Sequence, residues 1–279
     1  MKCLFISDLH GDCEKFQNLF DTIKKEKPDG VFIGGDVLPN QFSIKESLDL
    51  YLEKEFFSKI KKFKGKTRFF VIMGNDDPKA FEGFFVEAEK EGLIDYVNSK
   101  TVSFNDLFVT GYSYVPPTPF LLKDWEKYDV SRFVDVGVVS PEEGKRTVEV
   151  SPDYARYSTI SEDLEKLSKN APVEKTVFLF HSPPYKSNLD KADLEGKMID
   201  HAPVDPHVGS IAIKRFIEKR QPLLTLHGHV HETVSLTGEW KDLFGKTFSF
   251  SASHEDKELA IIIFDTKNLK KAKRKLIKL

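Results

Sequence analysis

Thiols are nearly absent from this chain: Cys3 and Cys13 are its only cysteines in 279 residues. Their spacing fits no metal-binding or redox motif, which excludes a disulfide scaffold and a thiolate zinc site. Both read as small buried hydrophobes in a reducing compartment, Cys13 on the apolar stripe of a helix. Long apolar runs are missing too, since Leu259–Phe264 falls far short of the ~20 residues that cross a bilayer. The amino-terminal residues reach an acid at Asp8 too soon for the apolar core of a signal peptide, so the expectation is a soluble, cytoplasmic protein. Charge of one sign is lacking as well. Lys plus Arg is 42 and Asp plus Glu is 44, a net charge of −2. A protein that grips phosphate backbones along a broad surface carries a basic excess. What is plentiful is apolar matter, 40% of residues with 24 Phe, beside 31% charged residues. That mixture builds a core and a solvated surface and excludes a disordered chain.

Short β-branched and aromatic runs alternate with helical patterns. Cys3–Ile6, Val31–Ile33 and Phe69–Met73 are continuous apolar runs, as in strands of a sheet covered on both faces. Between them, Cys13, Phe16, Phe20 and Ile23, then Leu48, Leu52, Phe56 and Ile60, recur at helical spacing. Pro78 opens a further helix and Gly92 closes it near Lys90. This β-α-β-α-β-α series predicts parallel strands. Later strands are expected at Leu107–Thr110, Val177–Phe180, Leu223–Leu226, Thr233–Leu236, Thr247–Phe250 and Leu259–Phe264, with helices near Tyr154–Ser168 and Gly209–Lys219. The stretch 112–153, rich in Pro and carrying Trp125, reads as an elaborated loop within a single domain spanning 1–279.

Each early strand ends on a polar cluster: Asp8-Leu9-His10, Gly34-Gly35-Asp36 and Gly74-Asn75-Asp76-Asp77. Two later strands end on His181-Ser182-Pro183-Pro184 and on His227-Gly228-His229-Val230-His231. In an open α/β sheet the carboxyl ends of parallel strands form the ligand crevice. Carboxylates mixed with imidazoles suit hard-to-borderline divalent metals such as Mn, Fe or Zn. Taken singly, each element has an ordinary structural reading: Asp8 as a helix N-cap, Asp36 and Asn75 as turn residues, His181 as a core histidine. Together, five strand ends carrying metal-type ligands point to one site.

In this order, Asp8-x-His10, Gly35-Asp36, Gly74-Asn75, His181 and Gly228-His229-x-His231 resemble the calcineurin-like metallophosphoesterases. The resemblance implies a four-layer α/β/β/α sandwich with two divalent metal ions at the rim of its sheets. It assigns Asp8, His10 and His231 to one ion, Asn75, His181 and His229 to the other, and Asp36 to both. It implies in-line attack on phosphorus by a hydroxide held between the ions, with Asn75 steadying the phosphoryl oxygens. The substrate expected is a small or nucleotide-like phosphodiester, with a monoester as an option and no membrane partner. A nuclease of the same superfamily and a non-catalytic metal-binding scaffold for protein assembly are the alternatives; the charge balance counts against nucleic acid.

One position departs from the family pattern. Where many relatives have Gly-Asn-His, with the histidine serving the leaving oxygen, this chain has Asp76. An ionised Asp beside two cations is a poor acid. The departure predicts a preference for good leaving groups or a substitute proton donor, with His201, His207 and His254 as candidates. His227, just before the metal pair, reads as a buried residue supporting the ligands rather than a ligand. Trp125, Arg132 and Arg146 either face the substrate or pack within their own loop. The basic run from Lys267 onward reads as an edge strand whose lysines block aggregation.

Overall fold

The computed structural model describes residues 1–39 and 46–278. Its strands are β1 (Lys2–Ile6), β2 (Gly30–Gly34), β3 (Arg68–Ile72), β4 (Asp95–Tyr96), β5 (Thr101–Phe104), β6 (Leu107–Tyr112), β7 (Thr176–Phe180), β8 (Met198–Ile199), β9 (Ala202–Pro203), β10 (Leu224–His227), β11 (Lys241–Phe244), β12 (Thr247–Ser251), β13 (Leu259–Asp265) and β14 (Lys273–Ile277). They form two six-stranded sheets, β14-β13-β1-β2-β3-β4 and β11-β12-β10-β7-β6-β5, and a small β8–β9 hairpin. The predicted β1, β2 and β3 are parallel neighbours, as their helical crossovers require. In the second sheet β6, β7, β10 and β12 are parallel, with antiparallel β11 and β5 at its edges, whereas the first sheet has antiparallel β13 and β14 on one side and ends on parallel β4 on the other.

The layering follows from alternation along the strands. Cys3, Phe5, Phe32, Phe70, Val177 and Leu179 meet in a core between the sheets. Leu4, Ile6, Val31, Ile33, Phe178 and Phe180 face the other way, against helices. Both faces of each sheet are therefore covered, and the continuous apolar runs are explained. Phe32 stacks on Phe70 with ring centroids 5.0 Å apart, and Phe104 meets Phe70 edge-on at 4.9 Å. The result is the expected sandwich of two mixed sheets flanked by helices.

Helix α1 (Cys13–Glu26) buries Phe16, Leu19, Phe20 and Ile23, and its N-cap is Asp12, not Asp8. Asp8 is thus free of capping duty. Cys13 is exposed, contrary to expectation: it is the first residue of the helix, and the buried positions begin only at Phe16. The helix expected across Leu48–Ile60 holds Leu48, Leu52, Phe56 and Ile60 in the core and contains a π-helical segment at Glu53–Phe57. After Pro78 comes a short 3-10 turn and the helix Glu82–Lys90. The region Tyr154–Ser168 is two helices, Pro152–Tyr157 and Ile160–Leu167, because Ser158 is extended and Thr159 caps a second start.

Thr233–Leu236 is a helix (Thr233–Thr237), not a strand. The reversal after His231 and the left-handed Gly238, whose N–H returns to Val234 O at 2.9 Å, close a helical turn that overrides the β-branched propensity. The basic carboxyl-terminal run does form an edge strand, β14. Among the described residues no helix is long and apolar enough to cross a membrane.

The loop 112–153 is ordered on itself. Trp125 is fully buried, meets Tyr114 edge-on at 5.4 Å and donates from Nε1 to Asp77 O at 2.7 Å. It therefore anchors the loop and walls no pocket. Arg146 donates to Lys123 O, and Arg132 pairs with Glu142 at 2.6 Å. The ammonium of Lys123 and the carboxylate of Glu126 meet at 2.6 Å with neither side chain exposed. Asp129 accepts from Ser210 Oγ and Ile211 N, both at 2.6 Å, fastening the loop to the start of the helix Ile211–Arg220. The reading in which this loop packs on its own aromatics is the one observed.

Candidate metal centre

The loops leaving β1, β2, β3, β7 and β10 converge at one rim. Asp8 N donates to Gly35 O at 3.1 Å and His10 N to Asp36 O at 2.7 Å, so the first loop lies along the second. His181 Nε2 stands 3.2 Å from Asp36 Oδ2 and 3.0 Å from Asn75 Oδ1, while its Nδ1 donates to Gly34 O at 2.7 Å. One sheet thereby reaches into the other. His229 N donates to Asp8 Oδ1 at 3.1 Å, and the His229 ring lies against that of His181 at 5.2 Å.

Two sets of donors share Asp36. Asp8, His10, Asp36 and His231 each offer a ligand atom within 4.8 Å of all the others. The Nε2 atoms of His10 and His231 face each other at 3.3 Å, and Asp8 Oδ1 lies 3.8 Å from His231 Nε2. Around the other side of Asp36 stand His181 and Asn75, with His229 beside them. Imidazole nitrogens and carboxylate oxygens turned to common points, without thiolate, fit divalent ions of the Mn, Fe or Zn type.

The backbone is bent to make this arrangement. Asp8, His10, Asp36 and His229 have φ of 57°, 46°, 50° and 77°. L-residues adopt that region at roughly 1–2 kcal/mol each. Such conformations persist where the surroundings over-determine them, typically at functional sites. Gly74 shows how close the loops come: a Cβ there would stand 2.6 Å from both Asp36 N and His181 Cε1. The glycine lets the third loop pass behind the shared carboxylate.

Charges reinforce the geometry. Burial opposes ionisation of Asp8, yet the hydrogen bond and charge of His231 hold it well below the usual carboxylate range. Burial likewise opposes Asp36, and the adjacent His181 outweighs it and lowers the carboxyl. For His181 burial disfavours the imidazolium, but Asp36 dominates and raises it to about 10. His229 is lowered to about 3 by burial and by the positive field of His181, which leaves a neutral imidazole suited to a cation.

Several residues fall outside the cluster. Asp76 is more than half exposed, 4.0 Å from His10 Nδ1, and accepts from Asn75 Nδ2 at 2.8 Å. Partial burial and the Asp36 carboxylate push its carboxyl upward, whereas cations at Asp36 would pull it down. His227 is fully buried and bonded at both nitrogens, to Ser182 O at 2.9 Å and Thr225 Oγ1 at 2.8 Å, and it stacks on Phe180. His254 is engaged by Arg274 at Nδ1 and Glu258 at Nε2. A guanidinium only donates, so Nε2 carries the proton and offers no lone pair to the nearby His254–Asp256–Glu258 group.

Two supporting residues escaped the sequence. Asp77 is fully buried and accepts from Val37 N at 3.1 Å, Leu38 N at 2.7 Å and Gly74 N at 2.9 Å, tying the Asp36 loop to the Asn75 loop. Ser253 donates to Asp8 Oδ2 at 3.0 Å. Asp77 sits in the Asn75-Asp76-Asp77 run, where nothing marks which acid points inward. Ser253 follows β12 with no motif around it.

Comparison with known proteins agrees with this geometry. A search of the curated proteins finds no match. Among solved structures, a Thermus thermophilus protein aligns with TM-score 0.59 at 16% identity, covering 99% of both chains. A dimetal phosphatase from Danio rerio aligns with TM-score 0.54 at 10% identity, covering 100% of this chain and 98% of that one. At such identities the likeness establishes the fold. The family model for calcineurin-like phosphoesterases matches residues 1–233, a span that holds every candidate ligand from Asp8 to His231. With that match over most of its length, the chain belongs to the calcineurin-like phosphoesterase family.

Proposed function

We propose that this chain is a dinuclear metal-dependent phosphodiesterase, built as one domain, acting on a small or nucleotide-like phosphodiester. The observation that carries the reading is the pair of donor sets sharing the buried Asp36. Asp8, His10 and His231 would hold one ion, Asn75, His181 and His229 the other, and Asp36 both. Bound there, two divalent ions supply Lewis acidity toward the phosphoryl oxygens and a water made nucleophilic at neutral pH.

The chain's own residues do the rest. Ser253 and the His229 amide fix both oxygens of Asp8, and the Asp76 amide donates to Asp36 Oδ1 at 2.9 Å, so the carboxylates need little reorganisation as charge develops. Asn75 turns its Nδ2 outward to Asp76, where it is placed to donate to a phosphoryl oxygen. Asp76 stands where many relatives have a histidine, and as an ionised group it would not protonate a leaving alkoxide. Ligands drawn from residue 8 to residue 231 across both sheets support the one-domain reading.

The test is a metal-supplemented panel of aryl phosphomonoesters, aryl phosphodiesters and cyclic nucleotides. Diester turnover that disappears with a chelator and returns with Mn²⁺ is expected. Stoichiometric metal retention with no hydrolysis across the panel would overturn the enzymatic reading in favour of a scaffold.

A further inference from the structure

Asp76 is the position at which this chain departs from the family pattern, and each of its polar groups meets a candidate ligand. Its Oδ1 accepts from Asn75 Nδ2 at 2.8 Å, its Oδ2 faces His10 Nδ1 at 4.0 Å, and its N–H donates to Asp36 Oδ1 at 2.9 Å. His10 belongs to one donor set, Asn75 to the other, and Asp36 to both. One residue therefore reaches both halves of the site with its side chain and the shared carboxylate with its backbone.

Two of these ligands are ambiguous by themselves. A neutral imidazole carries its proton on either nitrogen, and a carboxamide has an oxygen at one end and N–H donors at the other. Each can hold a cation only through its lone-pair end. For His10 that end is Nε2, which stands 3.3 Å from His231 Nε2. Two nitrogens on one tetrahedral ion at about 2.0–2.1 Å would lie roughly 3.3–3.4 Å apart, so the spacing fits. For Asn75 the end is Oδ1, 3.0 Å from His181 Nε2. The opposite end of each side chain, His10 Nδ1 and Asn75 Nδ2, is the one turned to Asp76.

An ionised carboxylate only accepts. Asp76 therefore draws the N–H end of both side chains to itself and leaves both lone-pair ends for the ions. At Asn75 it acts through a hydrogen bond. At His10 the separation is that of an ion pair, and the carboxylate acts through its charge, which favours a proton on the nearer nitrogen. A carboxylate behind a ligand histidine fixes its tautomer and raises its basicity toward the metal. A neutral histidine at position 76 could not serve both neighbours, because its ring has one acceptor nitrogen. The second hydrogen of Asn75 Nδ2 stays available for a phosphoryl oxygen.

We infer that Asp76 is a positioning residue that couples the two ion sites, orienting His10 toward one and Asn75 toward the other. The inference rests on the two-ion reading above and not on the identity of the substrate. It gives the departure from the family pattern a task other than proton transfer. The histidines that the sequence offered as substitute donors are engaged or lie elsewhere: His207 pairs with Asp190 at 2.9 Å, His254 is bonded at both nitrogens, and His201 is exposed at the β8–β9 turn.

The experiment reads ion binding, not turnover. Calorimetric titration of Mn²⁺ into chelator-treated protein should show two ions per wild-type chain, and Asp76→Ala should weaken both, each by about 10-fold. Asp76→Asn, with one acceptor oxygen in place of two, should weaken one ion and spare the other. The urea midpoints of the metal-free variants should match that of the wild type, since the side chain is more than half exposed. Imidazole ¹⁵N NMR of metal-free protein at alkaline pH should find the His10 proton on Nδ1 in the wild type and moved toward Nε2 in Asp76→Ala, with His10→Gln identifying the resonance. Alanine affinities within about twofold of wild type, an alanine loss confined to one ion, an asparagine variant equal to alanine at both ions, or a wild-type His10 proton on Nε2 would each overturn the inference while leaving the two-ion phosphodiesterase intact. A urea midpoint that falls together with ion affinity would also overturn it, by making Asp76 an ordinary structural residue. A wild type that takes up fewer than two ions would refute the two-ion reading itself, and the inference with it.

Discussion

Replacing Asp77 by alanine removes a carboxylate that touches no substrate and no candidate ligand side chain, yet joins two loops that carry ligands. Its Oδ2 accepts from Val37 N and Gly74 N, and its Oδ1 from Leu38 N, over 2.7–3.1 Å. Asp77 is fully buried, so the three amides would lose their partner away from bulk solvent. A hydrogen bond to a charged group is worth about 1.5–3 kcal/mol, and each stranded donor costs about 1–3 kcal/mol. Allowing for water entering the hole, Asp77→Ala should lose about 3–5 kcal/mol of unfolding free energy. Asp77→Asn keeps the shape and the two bonds at one oxygen but turns an N–H toward Leu38 N, so its loss should be smaller, about 1.5–3 kcal/mol. Urea unfolding of chelator-treated protein measures this without any contribution from metal, and the m-value should stay constant. Calorimetric titration with Mn²⁺ should show affinity weakened about 10–100-fold, because the Asp36 and Asn75 loops lose their common anchor. An alanine variant within about 0.5 kcal/mol of wild type, with normal Mn²⁺ affinity, would refute the reasoning.

Other perturbations have distinct outcomes. Asp36→Asn should reduce bound Mn²⁺ from two ions per chain to one or fewer and abolish turnover, as read by elemental analysis and the diester assay. Asp76→His should raise turnover of diesters with poor leaving groups by about 10-fold or more, as measured on methyl aryl phosphates running from nitro to methoxy leaving groups. His227→Gln should keep both ions while losing about 2–3 kcal/mol in urea unfolding, since both ring nitrogens serve only Ser182 and Thr225. In native protein one thiol should react quickly with a disulfide reagent, the exposed Cys13. Cys3, its thiol pushed up to about 12 by burial, should react only on unfolding.

Legibility differed along the chain. β1, β2, β3, β7 and β13 were readable because both faces of their sheets are buried, which makes short strands into nearly continuous apolar runs, and β10 and β12 through β-type alternation. Thr233–Leu236 misled because β-branched residues there are recruited into a helical turn by the reversal after His231 and by Gly238. Cys13 misled because helical spacing alone does not say at which turn of the helix burial begins. β4, β5 and β11 were missed since short edge strands carry little periodicity. The candidate ligands were legible for a different reason: Asp, His and Asn at strand ends beside glycine are scarce chemistry in fixed order.

By itself the sequence determined the layered α/β class, the parallel first half and the identity of the residues that meet at the rim, because burial on two faces and metal-type chemistry both leave local marks. The tertiary structure alone decided which acids support and which bind. Asp77 turns inward and Asp76 outward, Asp12 caps the helix and leaves Asp8 free, and Trp125 anchors a loop that the sequence left open as a pocket wall. These outcomes depend on contacts between residues distant in the chain, and one-dimensional spacing carries no record of which neighbour a side chain will meet.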